Sequence, residues 1–193
     1  MPKRVFIIHG WEGYPEEGWF PWLKKELEAK GYIVEVPSMP ESEAPDIGKW
    51  VSFLAGVVKK ADKDTFFVGH SIGCQAVLRY LQTVDAKIGG AVFVAGWVSL
   101  TPMATRTKEE RKIVKPWFET PIDFDRIRKT TRNFVAVFSN NDPYVPLENA
   151  ETYKNRLGAR IIIEKDKGHF SGSDEVTKLP VVLKELLGMA KTK

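Results

Sequence analysis

The stretch Thr65-Phe66-Phe67-Val68-Gly69-His70-Ser71-Ile72-Gly73 decides how the rest of the chain is read. Its first four residues are apolar or β-branched and favour a strand. From Gly73 to Leu81 the pattern is helical. Between them lies Gly-x-Ser-x-Gly, which is common on its own but specific in a strand–turn–helix setting. There the backbone is strained at the serine, and the two glycines relieve crowding against the neighbouring strand and helix. The serine hydroxyl is then presented at the carboxyl end of the strand. A plain βα turn with a capping serine is the competing reading. The context favours Ser71 as a nucleophile.

Outward from this turn the chain alternates short apolar runs with longer amphipathic ones. Strands are expected at Arg4–Ile8, Tyr32–Pro37, Thr65–Gly69, Gly90–Ala95, Phe134–Ser139 and Arg160–Glu164. They read as apolar on both faces, as strands of a covered parallel sheet do. Helices are expected at Glu17–Ala29, Asp46–Ala61, Gly73–Leu81, Leu147–Leu157 and Glu175–Leu187. In the second of these Trp50, Phe53, Leu54 and Val57 share a side, and Gly158 serves as a C-cap after the fourth. The alternation predicts one α/β domain over residues 1–193, with about six mainly parallel strands and helices on both faces. Strands one and three should be neighbours at the point where strand order reverses, which is where such sheets bind ligands. Residues 98–131 break the rhythm. They are rich in Lys and Arg, contain Pro102, Pro116 and Pro121, and read as a small, partly helical lid or as a solvated crossover helix.

Composition narrows the function classes. The 193 residues are 43% hydrophobic and 28% charged, which argues against disorder. Apolar runs are short, as in Ala91–Ala95, whereas a spanning helix needs about 20 residues, so no membrane segment is expected. Lys3 and Arg4 precede an apolar stretch too short for a secretory signal. The single cysteine, Cys74, excludes an internal disulfide framework, so a reducing, cytoplasmic setting is expected. The net charge of +4 is mild and the basic residues are scattered, which argues against nucleic acid as a partner. There is no phosphate loop, metal-ligand cluster or cofactor fingerprint. No cofactor and no metal are expected.

A serine hydroxyl needs a base, and the chain offers three histidines. His70 flanks the serine, with its ring directed away from it. His9 ends the first strand. His169, in Lys167-Gly168-His169-Phe170, follows the last strand. It alone fits the chain order nucleophile, acid, histidine that accompanies this kind of elbow. The acid should then leave the end of a strand between Ser71 and His169. Asp142, in Ser139-Asn140-Asn141-Asp142-Pro143, does so. Asp123 and Asp125 fall in the irregular segment, and Asp166 reads as a solvated loop charge. Donors for an oxyanion are expected from the backbone N–H groups of Ile72, just after the nucleophile, and Trp11, in His9-Gly10-Trp11. Cys74 reads as a small packed residue. Among the N-terminal aromatics Trp11, Tyr14, Trp19, Phe20 and Trp22, packing of Trp19, Trp22 and Leu23 against the sheet outweighs a role in an acyl pocket.

With these residues in view, the chain resembles the small, nearly capless α/β-hydrolases typified by retinoblastoma-binding protein 9 and YdeN. The likeness lies in Gly18-Trp19 with Trp22 through Leu27, in Met39-Pro40, and in Gly69-His70-Ser71. It continues in Pro116-Trp117-Phe118 with Pro121 and Asp123, in Ser139 through Pro143, and in Gly168-His169-Phe170. The resemblance implies an α/β-hydrolase fold, a Ser-Asp-His triad on Ser71, Asp142 and His169, and esterase-type activity. One departure matters. A Leu-x-Cys-x-Glu motif is associated with the retinoblastoma-binding member. Here Cys74 stands between Ile72 and Ala76, so no pocket-protein partner is expected. The overall expectation is a serine hydrolase that cleaves a small-molecule carboxylic ester of small to medium acyl chain through an acyl-enzyme. A peptidase or amidase, a thioesterase, and a non-catalytic binding module on the same scaffold are the alternatives.

Overall fold

The computed structural model describes residues 2–191. Six parallel strands form one sheet: β1 (Arg4–Ile8), β2 (Ile33–Glu35), β3 (Thr65–His70), β4 (Gly90–Val94), β5 (Phe134–Ser139) and β6 (Arg160–Glu164). Their order is β2-β1-β3-β4-β5-β6. The expected parallel α/β sheet is therefore present. β1 lies beside β3, with Ile8 level with Gly69, and strand order reverses between them. The carboxyl ends of β1, β3, β4 and β5 thus converge on one crevice.

The central strands β3, β4 and β5 are buried throughout. The expectation of two apolar faces fails at the rims. β2 is three residues long, shorter than expected, and its Ile33 and Glu35 are exposed, while β6 is buried at none of its positions. Edge strands have a neighbour on one side only and are covered less completely.

Among the described residues seven helices flank the sheet: α1 (Phe20–Glu28), α2 (Ile47–Val58), α3 (Ile72–Leu81), α4 (Lys108–Glu119), α5 (Phe124–Thr130), α6 (Asn149–Thr152) and α7 (Pro180–Met189). α1 packs against α7, and α3 packs against α2 and α5. Several boundaries differ from expectation for local reasons. α1 starts at Phe20 rather than Glu17 because Gly18 is in the left-handed region (φ 51°) and Pro21 stands in the first turn. α7 starts at Pro180 rather than Glu175, where the backbone is left-handed. α6 is short and passes into a π-turn over Tyr153–Leu157, which Gly158 closes at φ 71°. In α2 the buried stripe is Trp50, Leu54 and Val58, whereas Phe53 is exposed. Residues 98–131 hold a 3-10 turn at Pro102–Ala104 together with α4 and α5. Thr107 opens α4 with a capping box to Glu110.

The two glycines around Ser71 set the spacing of α3 against the sheet. A Cβ on Gly73 would lie 2.4 Å from the carbonyl oxygen of Ile8 and 2.5 Å from that of His9. A Cβ on Gly69 would meet the backbone of Cys74 at 2.7 Å. Gly73→Ala is expected to lower unfolding stability by about 3 kcal/mol, the upper range for overpacking, because the obstacle is backbone and cannot rotate away. A denaturant titration of both proteins measures this, and a change below about 0.5 kcal/mol, the range of neutral surface substitutions, would contradict the close-packing argument.

Candidate active site

Ser71 lies between β3 and α3 with φ 53° and ψ −122°. A non-glycine residue in this region is strained, and the surrounding packing holds it there. Its N–H donates to Val94 O at 2.9 Å. Its hydroxyl has no hydrogen-bond partner among the described residues and faces a cavity of about 340 Å³. Trp11, Ile72 and His169 line the same cavity.

Asp142 follows β5 in an Asx-type turn. One carboxylate oxygen, Oδ1, accepts the N–H groups of Tyr144 (2.8 Å) and Val145 (3.0 Å). The other, Oδ2, accepts from His169 Nδ1 at 2.8 Å. The Asp142 side chain is only 2% exposed and that of His169 12%. Donation from Nδ1 leaves the Nε2 lone pair of His169 free, and Nε2 has no partner among the described residues. The rival carboxylates are engaged elsewhere. Asp123 caps α5 by accepting from Arg126 N, and Asp125 pairs with Arg128. Asp166 is exposed, beside Lys165.

The loop carrying His169 is strapped to the turn carrying Asp142. Three consecutive side chains accept three consecutive amides. Asn140 Oδ1 takes Asp166 N–H at 2.7 Å, Ser139 Oγ takes Lys167 N–H at 3.0 Å, and Asn141 Oδ1 takes Gly168 N–H at 2.9 Å. Ser139 Oγ–H in turn donates to Asn141 at 2.7 Å. From the other side Trp19 Nε1–H donates to Phe170 O and His70 Nε2–H donates to His169 O, at 2.9 and 2.7 Å. Asp174 accepts His169 N–H at 2.9 Å. None of these supports was assigned from sequence. The only local signal was the run of polar residues at the end of β5.

The backbone N–H groups of Ile72 and Trp11 have no acceptor among the described residues, and both residues border Ser71 in the cavity. His9 shapes the first loop. Fully buried, it donates from Nδ1 to Gly10 O at 2.8 Å and accepts Met39 N–H at Nε2, 3.0 Å away. The Trp11 indole is committed to Glu43 O at 2.9 Å, so its ring N–H is not free for a ligand in the cavity. Among the other N-terminal aromatics, Trp19 and Phe20 are core residues and Tyr14 is exposed. The apolar wall comes mainly from elsewhere: Trp97 after β4, Tyr144 after Asp142, and Leu100, Met103 and Ala104 from the segment before α4. Long-range folding brings these together, and no spacing rule marks them. Cys74 is buried and hydrogen-bonded to Val94 O, and burial pushes its thiol pKa up, which suits packing rather than nucleophilic attack. Among the described residues no three His, Cys, Asp or Glu side chains converge as a metal site. No described helix is long and apolar enough to cross a membrane.

His70 is buried between Trp19, Phe20 and His169. Burial, assisted by repulsion from His169, lowers its pKa to about 3, and its Nδ1 has no partner. Burial lowers that of His9 as well. The unfolded chain therefore binds more protons than the folded one between these lowered values and the ordinary histidine value near 6.5. Stability should be flat above that value and fall with acidification below it, by up to about 1.4 kcal/mol per pH unit for each histidine. Denaturant midpoints measured across this range test the point. Stability that rose on acidification would mean that His70 and His9 become charged within the fold.

Comparison with known proteins identifies the family of the chain. A family profile described as serine hydrolase matches residues 5–187. YdeN of Bacillus subtilis (strain 168) is 28% identical over 184 residues, which cover 94% of this chain and 93% of that protein. The serine hydrolase RBBP9 of Rattus norvegicus is 25% identical over 189 residues, 96% of each chain. The crystal structure of the B. subtilis ydeN gene product superposes with a TM-score of 0.90 at 26% identity, covering 98% of this chain and all of that one. With nearly its whole length matched and a serine at the elbow of an α/β sheet, the chain belongs to the serine hydrolase family.

Proposed function

We propose that this hydrolase cleaves carboxylic esters of small to medium acyl chain through a covalent acyl-enzyme on Ser71. Ser71 Oγ attacks the ester carbonyl while His169 Nε2 takes its proton. The carbonyl oxygen becomes an oxyanion and accepts from the Ile72 and Trp11 N–H groups at the positive end of α3. Collapse breaks the bond to the alcohol, which leaves with the proton held by His169. Water then attacks the acyl-enzyme with His169 again as base, releasing the acid and restoring Ser71. Asp142 holds the imidazole in the Nδ1–H tautomer and stabilises the imidazolium. The observation that carries this reading is the 2.8 Å contact of a buried Asp142 with His169, beside an unengaged serine hydroxyl in one cavity. The apolar wall of Trp97, Leu100 and Met103 favours an uncharged acyl group. An amide or thioester would meet the same groups, so a substrate panel ranks these against esters.

A fluorophosphonate probe should add one adduct to the wild-type chain and none to folded Ser71→Ala, read by intact mass. No adduct on folded wild type, or an adduct on both, would overturn Ser71 as the nucleophile. Asp142→Asn should lower kcat by about 10⁴-fold while leaving the fold intact, because the imidazole loses its tautomer partner.

Ester turnover should rise with pH and then level off, because only a neutral imidazole can act as a base. His70, held neutral down to a pKa of about 3, adds no inflection of its own above pH 5. A rate under chemistry-limited conditions that is flat from about pH 5 to about pH 8, the range in which an imidazole ordinarily changes charge, would exclude His169 as base.

A further inference from the structure

We propose that two copies of this chain associate through the outer edge of β6, which joins two six-stranded sheets into one. The inference is independent of the reaction at Ser71. β6 ends the sheet, and among the described residues no strand lies on its outer side. Its sequence is Arg160-Ile161-Ile162-Ile163-Glu164, and Ile163 is 56% exposed. A β-branched edge without proline or bulge is a template for another strand.

The backbone bonding determines which residues could pair. Asn140 N–H donates to Glu164 O at 3.1 Å. Glu164 therefore turns its carbonyl toward β5, as do Ile162 and Arg160 by the alternation of a parallel ladder. Ile161 and Ile163 turn their N–H and C=O groups outward, and none of these groups bonds to another loop or side chain.

A second copy related by a twofold axis must approach antiparallel, with the same residues on both sides. The outward residues can pair as Ile161 with Ile161, Ile161 with Ile163, or Ile163 with Ile163. Only the middle choice is self-complementary in charge. It places Ile162 against its own copy on the axis, exchanges four backbone hydrogen bonds, and sets Arg160 directly opposite the second copy's Glu164, twice. The other two registers oppose a charge to Ile162. Arg160 and Glu164 then occupy non-hydrogen-bonded positions, the closely spaced pairs of an antiparallel ladder. Arg160 already bonds to Glu185 of α7, which orients it on the face where the second Glu164 arrives. The cavity at Ser71 lies at the carboxyl ends of the strands, away from the axis, so each copy keeps its own site.

Sedimentation velocity of the full chain tests the proposal. The wild type should be mostly dimer once its concentration reaches about 100 µM, where a complex of micromolar affinity is formed. Ile163→Pro removes an outward N–H and no β5 bond, and should give a monomer that still takes the fluorophosphonate label to the wild-type extent. Glu164→Arg opposes like charges twice and should weaken association about tenfold or more. Mixing Glu164→Arg with Arg160→Glu restores both opposite-charge pairs and should produce a heterodimer that neither variant forms alone. A wild-type monomer throughout, or a dimer that survives Ile163→Pro, would overturn the interface. A dimer sensitive to Ile163→Pro but not to Glu164→Arg would overturn the register.

Discussion

The first turn of α3 lies against the end of β1 with nothing but the hydrogens of Gly73 between them, because the carbonyls of Ile8 and His9 occupy the space a side chain would need. That contact draws the helix in until Ser71 must take a left-handed backbone. Two consequences follow together. The serine is lifted above the ends of the strands, and the Ile72 amide is left without an intrahelical acceptor at the electropositive end of α3. The neighbouring loop, held by the two hydrogen bonds of buried His9, carries Trp11, which lines the same cavity. The placement of the Ser71 hydroxyl and of the Ile72 amide thus follows from one close approach, and local strain at Ser71 is offset by packing along the whole of β3 and α3.

The histidine side of the site rests on a different device. Its loop contains three left-handed positions, at Asp166, Gly168 and Phe170, and has no regular structure to support it. The side chains of Ser139, Asn140 and Asn141 accept its amides, and the rings of His70 and Trp19 donate to its carbonyls. Because Asp142 is the next residue along the chain, the straps that fix the loop also fix the distance between the carboxylate and the imidazole. Burial keeps His70 neutral, so it can donate from Nε2 without placing a positive charge beside His169.

Particular residues show why some of this was readable in advance and some was not. β1, β5 and β6 begin and end where the sequence predicts, because each is a β-branched or aromatic run bounded by polar residues or turns. The Asp142–His169 contact was legible because chain order and strand ends leave few candidates. Trp97, Tyr144 and Met103 were not legible as cavity wall, since each reads locally as an ordinary apolar residue and only the packed sheet brings them together. Phe53 was misplaced because hydrophobicity alone cannot tell the flank of a helix from its buried stripe.

The same limit explains α4. Its sequence is strongly charged and suggests a solvated helix, yet it is tied to the centre of the molecule by Arg79, a buried guanidinium with no carboxylate partner among the described residues. Arg79 donates to the carbonyls of Trp117 and Thr120 at the end of α4, at 2.8 Å each, where the helix dipole favours a cation. It also bonds to Gln75, which donates to Trp97 O at 2.5 Å. Trp97 forms part of the cavity wall, and its ring lies against Phe118 of α4. The position of this wall is therefore set from below, through the helix that begins at Ser71, and not by contacts within residues 98–131 alone. Burial lowers the Arg79 pKa to about 10, still high enough for the charge to persist at neutral pH. A residue without donors at this position would leave the Trp117 and Thr120 carbonyls without these bonds, so one buried charge couples the helix that begins at Ser71 to the segment that shapes the cavity.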